Sequence, residues 1–186
     1  MAVRAAKSRN TTIQEEEARI WTQHEIKVNT TEKNSAVGAS IEPLVQLYRK
    51  HCIEFDQVWG WDPRWSEKQF WARVPEWERH KITYFNEYVN ATEQSALGVL
   101  RRTARPEDFV VFKLDIDTPH VEQQIMDILL SEEGKVYTDL IDEFYFEYQG
   151  GEGGPFLLDS PNTTVSYGVQ MLQQLRRRGV RTHFWV

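Results

Sequence analysis

One cysteine, Cys52, stands among 186 residues, so the chain cannot form an intrachain disulfide or build a cysteine-rich zinc site. Long apolar runs are also missing: none approaches the roughly 20 residues that cross a bilayer core. The opening MAVRAAKSRNTTIQEEEARIW has basic residues but lacks the apolar centre of a signal peptide. The expectation is a soluble chain with no membrane span. Positive charge is in deficit. The 22 Lys and Arg face 28 Asp and Glu, a formal net charge of -6, which argues against a nucleic-acid partner or an anionic membrane surface. His24, His51, His80, His120 and His183 show no metal-ligand spacing, and the candidate site residues below include no metal set. Internal repeats and low-complexity tracts are absent as well.

What is present reads as one domain of about ordinary size, long enough to bury roughly two-thirds of its unfolded surface. Residues 1–33 are polar and weakly periodic, with EIKVN as a short candidate strand, and are expected to form a loosely ordered arm ahead of a domain at 34–186. SIEPLVQLYRKHC predicts a helix with Pro43 near its start and Leu44, Leu47, Tyr48 and His51 on one side. FDQVWGWD reads as a buried strand ending at Asp62. In WSEKQFWARV, Ser66 followed by Gln69 forms a capping box that opens a short helix. KITYFNEYVN is β-branched and aromatic, hence a strand, and EQSALGVLRRT has helical spacing. LIDEFYFEY predicts another strand, followed by the glycine-rich QGGEGGPF. TTVSYGVQMLQQLRRRG closes as an amphipathic helix and RTHFWV as a strand. Arg176, Arg177 and Arg178 are expected to serve the C-terminus of that helix. The tryptophans Trp59, Trp61, Trp65, Trp71 and Trp77 are expected to pack around the second strand.

Helix and strand alternate at least four times, which predicts an α/β fold: an open, doubly wound, mostly parallel sheet with helices on both faces. In such sheets ligands gather outside the carboxyl ends of the strands, where the strand order reverses. The stretch DFVVFKLDIDTPHVEQQIMDILL is the most informative. Alternation sends Val110, Phe112, Leu114 and Ile116 to one side and Val111, Lys113, Asp115 and Asp117 to the other. Two carboxylates that close raise each other's pKa unless cations or N–H donors oppose it. A plain structural account exists: Asp117 or Thr118 caps the next helix, Pro119 fills its first turn, and Lys113 neutralises Asp115. Asp115, one residue deeper, needs no such role and is the stronger candidate for function.

FVVFKLDIDTPHVE, followed by DEFYFE and LRRRGVRTHFWV, resembles the C-terminal half of FkbM-related, methyltransferase-like proteins of eukaryotic microbes, mostly uncharacterised. VGAS, FDQVWGWDP and VPEWERHKITYFNEYV follow the same order upstream, and the likeness spans roughly Ala36 to Val186. The resemblance implies a Rossmann-like class I fold that binds S-adenosylmethionine. It implies a cofactor turn at Gly38, Ala39 and Ser40, a ribose-binding acid at Asp62, and Asp115 and Asp117 on the cofactor and acceptor side. Glu147 then stands at the end of the following strand, completing a catalytic set of Asp115, Asp117 and Glu147. The residues independently place Asp62 about 20 or slightly more positions beyond Gly38, the spacing of a βαβ nucleotide unit. Ala36 stands where that pattern has an acid, and Tyr148 and Gln149 where it has histidines, so weakened or lost cofactor binding is one expected outcome.

Three readings of function follow. The first is an O-methyltransferase-like protein with a small-molecule or glycan acceptor. The second is a nucleotide-sugar glycosyltransferase in which Asp115-x-Asp117 holds a divalent cation. The third is a non-catalytic binding domain on the same scaffold. Asn10, Asn29, Asn90 and Asn162 lie in glycosylation sequons, so a secretory lumen and the cytoplasm both stay open as locations, and nothing fixes the oligomeric state.

Overall fold

The computed structural model describes residues 2–5, 41–147 and 165–185. Gly38, Ala39, Ser40, the EIKVN stretch, Tyr148, Gln149 and the glycine-rich loop lie outside the described residues. The elements in chain order are β1 (Ala2–Ala5), α1 (Ile41–Arg49), β2 (Gln57–Trp61), α2 (Glu67–Trp71), a 3-10 turn (Glu76–Lys81) and β3 (Ile82–Phe85). There follow α3 (Ala96–Thr103), β4 (Phe109–Leu114), α4 (Pro119–Leu130), α5 (Lys135–Thr138), β5 (Glu143–Phe146), α6 (Val165–Arg177) and β6 (Arg181–Phe184).

The strands form one sheet in the order β3-β2-β1-β4-β5-β6. β2 pairs parallel with β3, and β4, β5 and β6 pair parallel in turn. β1 pairs antiparallel with both β2 and β4, so five strands run one way around a reversed centre. This is the expected doubly wound, mostly parallel sheet, with one difference in its origin. The central position is filled by Ala2–Ala5, residues grouped by composition with the polar arm. The inner edges of β2 and β4 carry backbone N–H and C=O groups that must be paired once buried, and an antiparallel segment meets that need as well as a parallel one.

Alternation along β4 builds a core on each face, as expected. Val110, Phe112 and Leu114 join Phe144 and Phe146 beneath α3, α4 and α6, whose Leu97, Leu100, Ile125, Met126, Leu129, Met171, Leu172 and Leu175 are buried against them. Val111 and Tyr145 face the other way and pack with Val58, Phe55 and Leu44 and Tyr48 of α1. Each fully buried side chain of this size contributes roughly 1.5–3 kcal/mol, and the two clusters hold the strand ends in fixed positions. His51, expected on the buried side of α1, is exposed, because the helix stops at Arg49 and the chain turns through Cys52 at φ 58.

Several local signals act as their chemistry predicts. Ser66 and Gln69 form a complete capping box at α2. The tryptophans pack around β2 and β3: Trp61 stacks on Phe85 at 4.7 Å and Phe70 on Tyr84 at 3.9 Å, while Trp77 stays 56% exposed. Arg176 and Arg177 lie in the last turn of α6 as expected, and Arg178 differs. Arg178 donates to the carbonyls of Leu129 at 3.0 Å, Leu130 at 2.6 Å and Ser131 at 2.6 Å, so it caps the C-terminus of α4 and not that of its own helix. Those carbonyls have no intrahelical donor, and a guanidinium satisfies three of them at the negative end of the dipole.

Candidate functional site at the carboxyl edge

Because β2, β4 and β5 run parallel, the residues that follow them emerge along one edge of the sheet. Asp62 follows β2, Asp115 follows β4 and Glu147 follows β5. Register explains the closest pair. Leu114 is opposite Phe146, so the next step places Asp115 beside Glu147, and Glu147 N–H continues the ladder to the Leu114 carbonyl at 3.1 Å. Asp117 joins them through a turn in which it adopts a left-handed φ of 51, a conformation that aspartate tolerates better than most residues. Asp115, Asp117 and Glu147 each present an oxygen within 4.8 Å of the others. The strand order reverses at the position between β2 and β4, so Asp62 and the trio flank the place where open α/β sheets bind ligands.

The turn after β4 gives Asp117 a partner outside the helix that follows. Thr118 occupies the N-cap of α4 and Pro119 its first turn, yet the Thr118 side chain makes no cap. The Thr118 hydroxyl donates to the Ile116 carbonyl at 3.0 Å, and the Glu122 carboxylate accepts from Ile116 N–H at 3.1 Å. Asp117 instead pairs with Arg64, whose Nη1 lies 2.8 Å from its Oδ2. Arg64 also grips Asp62: its backbone N–H and Nε donate to Oδ1 at 2.8 and 3.1 Å, and Nη2 donates to Oδ2 at 3.2 Å. One guanidinium thus spans the acids of β2 and β4. Tyr84 and Asn86 hold the loop beneath it, the Tyr84 hydroxyl donating to the Trp65 carbonyl at 2.8 Å and the Asn86 amide to the Asp62 carbonyl at 3.1 Å.

Lys113 lies under Asp115, only 1% exposed, with its ammonium paired to that carboxylate and 4.5 Å from the Trp185 ring. Burial lowers the Lys113 pKa, and Asp115 acts against that shift. Burial works to raise Asp115, but its hydrogen bond with Glu147 and the Lys113 ammonium outweigh this and hold it below the usual carboxylate range. Glu147 moves the other way. The hydrogen bond with Asp115, together with burial, pushes it up to about 8, so near neutrality the pair shares one proton that resides mostly on Glu147. Burial, with Asp115 and Asp117 nearby, also raises Glu122 to about 7.

The fold thus assembles Asp62, Asp115, Asp117 and Glu147, while Gly38, Ala39 and Ser40 are outside the described residues. Two contributors escaped sequence reasoning. Arg64 follows Asp62-Pro63, and a proline turn that folds a cation back onto the preceding acid was its only cue. Glu122 had a clearer one: it lies on the same helical stripe as Ile125, Met126 and Leu129, where a lone carboxylate must be buried.

No family model, no curated protein and no solved structure matches this chain. The case for a ligand therefore rests on fit. For a nucleoside cofactor the fit is partial. The segment running from α1 through β2 to an edge carboxylate has the layout of half a βαβ nucleotide unit. However, both Asp62 oxygens already accept from Arg64, so a ribose hydroxyl has to displace the guanidinium, whose side chain is 47% exposed and able to swing outward. For a divalent cation, the Asp115–Asp117–Glu147 trio has the right donor type and spacing. Two of its members already face Lys113 and Arg64. Counting the shared proton, the trio carries about two negative charges, opposed by Lys113 and by an Arg64 that Asp62 shares.

Proposed function

We propose that the chain is an S-adenosylmethionine-dependent O-methyltransferase-like protein working at the carboxyl edge of its sheet. The observation that supports it is the set of acids from three parallel strands converging at the switch point, with one proton shared between Asp115 and Glu147. In this reading Asp62 meets the ribose once Arg64 moves aside, and Gly38, Ala39 and Ser40 form the cofactor turn. The bound cofactor supplies an electrophilic methyl group. Asp115 and Asp117 orient the hydroxyl of a small-molecule or glycan acceptor, and Glu147, when deprotonated, takes the proton that the hydroxyl loses. Because Glu147 holds its own proton up to about pH 8, transfer should accelerate as pH rises toward that value.

Calorimetric titration with S-adenosylhomocysteine in the absence of metal tests this. Binding is expected, and Asp62→Ala is expected to weaken it by about 1–3 kcal/mol, the loss when hydroxyls lose a charged partner. Affinity left unchanged by that substitution removes Asp62 from the site.

A second reading, a metal-dependent nucleotide-sugar transferase, is favoured by the three carboxylate oxygens lying within 4.8 Å. The same titration run with nucleoside diphosphates plus and minus manganese separates the two. Binding that requires the metal supports the second reading, and silence in every arm favours a non-catalytic domain.

A further inference from the structure

β6 closes one end of the six-stranded sheet and has a single neighbour, β5. Arg181 N–H donates to the Asp142 carbonyl at 2.9 Å and Trp185 N–H to the Phe146 carbonyl at 2.9 Å, so these residues turn their main-chain groups toward β5. Thr182 and Phe184, one step out of phase, therefore turn theirs away from the sheet. The Thr182 carbonyl agrees with that direction, since it accepts from Arg176 Nη2 at 2.6 Å. Among the described residues nothing accepts from the N–H of Thr182 or Phe184. An open groove of about 390 Å³ runs beside this flank, lined by residues 179–183 with Glu143 and Arg176. A free strand flank of this kind is a ready template for another strand.

Two further observations say what kind of strand fits. The first is charge. The chain has a formal net charge of -6, yet Arg176 and Arg177 close α6 with no acidic partner among the described residues, the one bond of Arg176 going to a neutral carbonyl. Arg181 is already paired with Glu143 at 2.8 Å and adds no surplus. Burial, and then the charges of Arg176 and Arg181, push the His183 imidazole down to about 4 even though a Glu143 oxygen lies 4.0 Å away, so the field beside β6 is positive. A second copy of the chain would bring two such flanks together against their charge, whereas an acidic strand is attracted. The second observation is apolar surface. The Thr182 hydroxyl donates to the Leu172 carbonyl at 3.3 Å and so seats β6 against α6. Phe184, two residues further along the strand, is 41% exposed, and Val169, about one turn before Leu172, is 36% exposed. Alternate side chains of an added strand have these to cover.

We propose that the free flank of β6 accepts an acidic, extended segment of a partner protein as a seventh strand of the sheet. Carbonyls of that segment take the N–H groups of Thr182 and Phe184, its carboxylates meet Arg176 and Arg177, and an apolar side chain covers Phe184. The Thr182 carbonyl has a second lone pair, so Arg176 keeps its bond when the strand is added. The surface is separate from Asp62, Asp115, Asp117 and Glu147 and does not depend on the methyltransferase reading.

The acetylated, amidated peptide GEVEVEVG, with GKVKVKVG as control, tests this on the full chain by amide hydrogen exchange. The acidic peptide should slow exchange at Thr182 and Phe184 saturably and by about tenfold or more, and the basic peptide should bind about tenfold more weakly. Phe184→Pro removes one outward N–H and the exposed ring while sparing the ladder to β5, and should weaken the acidic peptide about tenfold. If that variant does not fold, Arg176→Gln combined with Arg177→Gln should erase the preference for the acidic peptide. Exchange at both amides unchanged by about 5 mM acidic peptide overturns the proposal and leaves the arginines as guards of a free flank. Equal binding of the two peptides overturns it too, as does protection of both amides before peptide is added, whether in a dimer seen by sedimentation or within the monomer.

Discussion

At the scale of single residues, the chemistry of the edge depends on which charges have partners. Arg64 is the clearest case, since it satisfies the acid that the ribose would need. An exposed ion pair is worth little, and a bidentate one somewhat more, so replacing Arg64 with glutamine should release Asp62 at modest cost. Arg64→Gln is expected to raise affinity for S-adenosylhomocysteine by about three- to tenfold, read by calorimetry, whereas Asp62→Ala lowers it. A fall in affinity for Arg64→Gln would mean that the arginine itself contacts the ligand.

Glu122 gives the residue-scale pH prediction. Its carboxyl is 4% exposed and raised from an ordinary 4.5 to about 7, so between these values the folded chain holds a proton that the unfolded chain has lost. Stability from this group is complete below about pH 4.5 and is lost as pH rises through 7. Glu122→Gln keeps an acceptor for Ile116 N–H and removes the titration. Between pH 5 and pH 8 the variant should gain about 2–3 kcal/mol relative to the parent chain in denaturant unfolding. A difference independent of pH would show that Glu122 ionises normally.

At the scale of elements, much was legible because side-chain period and burial agree. The alternation of β4 placed Val110, Phe112 and Leu114 on one face and Val111, Lys113 and Asp115 on the other, and both faces are filled as that pattern requires. Ser66 and Gln69 announced α2 by a local mechanism that needs no tertiary context. The misreadings involve long-range partners. Arg178 looked like a cap for its own helix and instead closes α4, some 47 to 49 residues away in sequence. Asp117, read with Thr118 as a possible cap, also reaches Arg64, 53 residues away in sequence. Spacing along the chain carries no information about either contact.

Packing between elements also fixes a glycine. A Cβ on Gly98 in α3 would lie 1.7 Å from the Glu93 carbonyl oxygen, a backbone atom with little room to retreat. Alanine is favoured in a helix interior by about 1 kcal/mol, but overpacking of this kind costs about 1–3 kcal/mol or more, so the steric effect should win. Gly98→Ala is expected to lower Tm by roughly 3–8 °C in a thermal melt. An unchanged or higher Tm would mean that the Glu93 loop yields freely.

At the scale of the whole molecule, the fold class was readable from alternating helices and strands, but the source of the central strand was not. AVRA is four residues long, carries one β-branched side chain, and precedes polar sequence, so nothing local marks it as the centre of a sheet. Its place is set by the slot between β2 and β4. That arrangement leaves the strand ends of β2, β4 and β5 on one edge, with Asp62, Asp115 and Glu147 around the point of order reversal. The central claim is that ligand chemistry belongs to this edge.

The most direct test is amide chemical-shift mapping of the full chain during titration with S-adenosylhomocysteine, with no metal added. Perturbed amides should concentrate at Gly38 to Ser40, Asp62 to Arg64, Asp115 to Asp117 and Glu147. Saturable shifts confined to other surfaces, or no shifts at millimolar ligand, would contradict it.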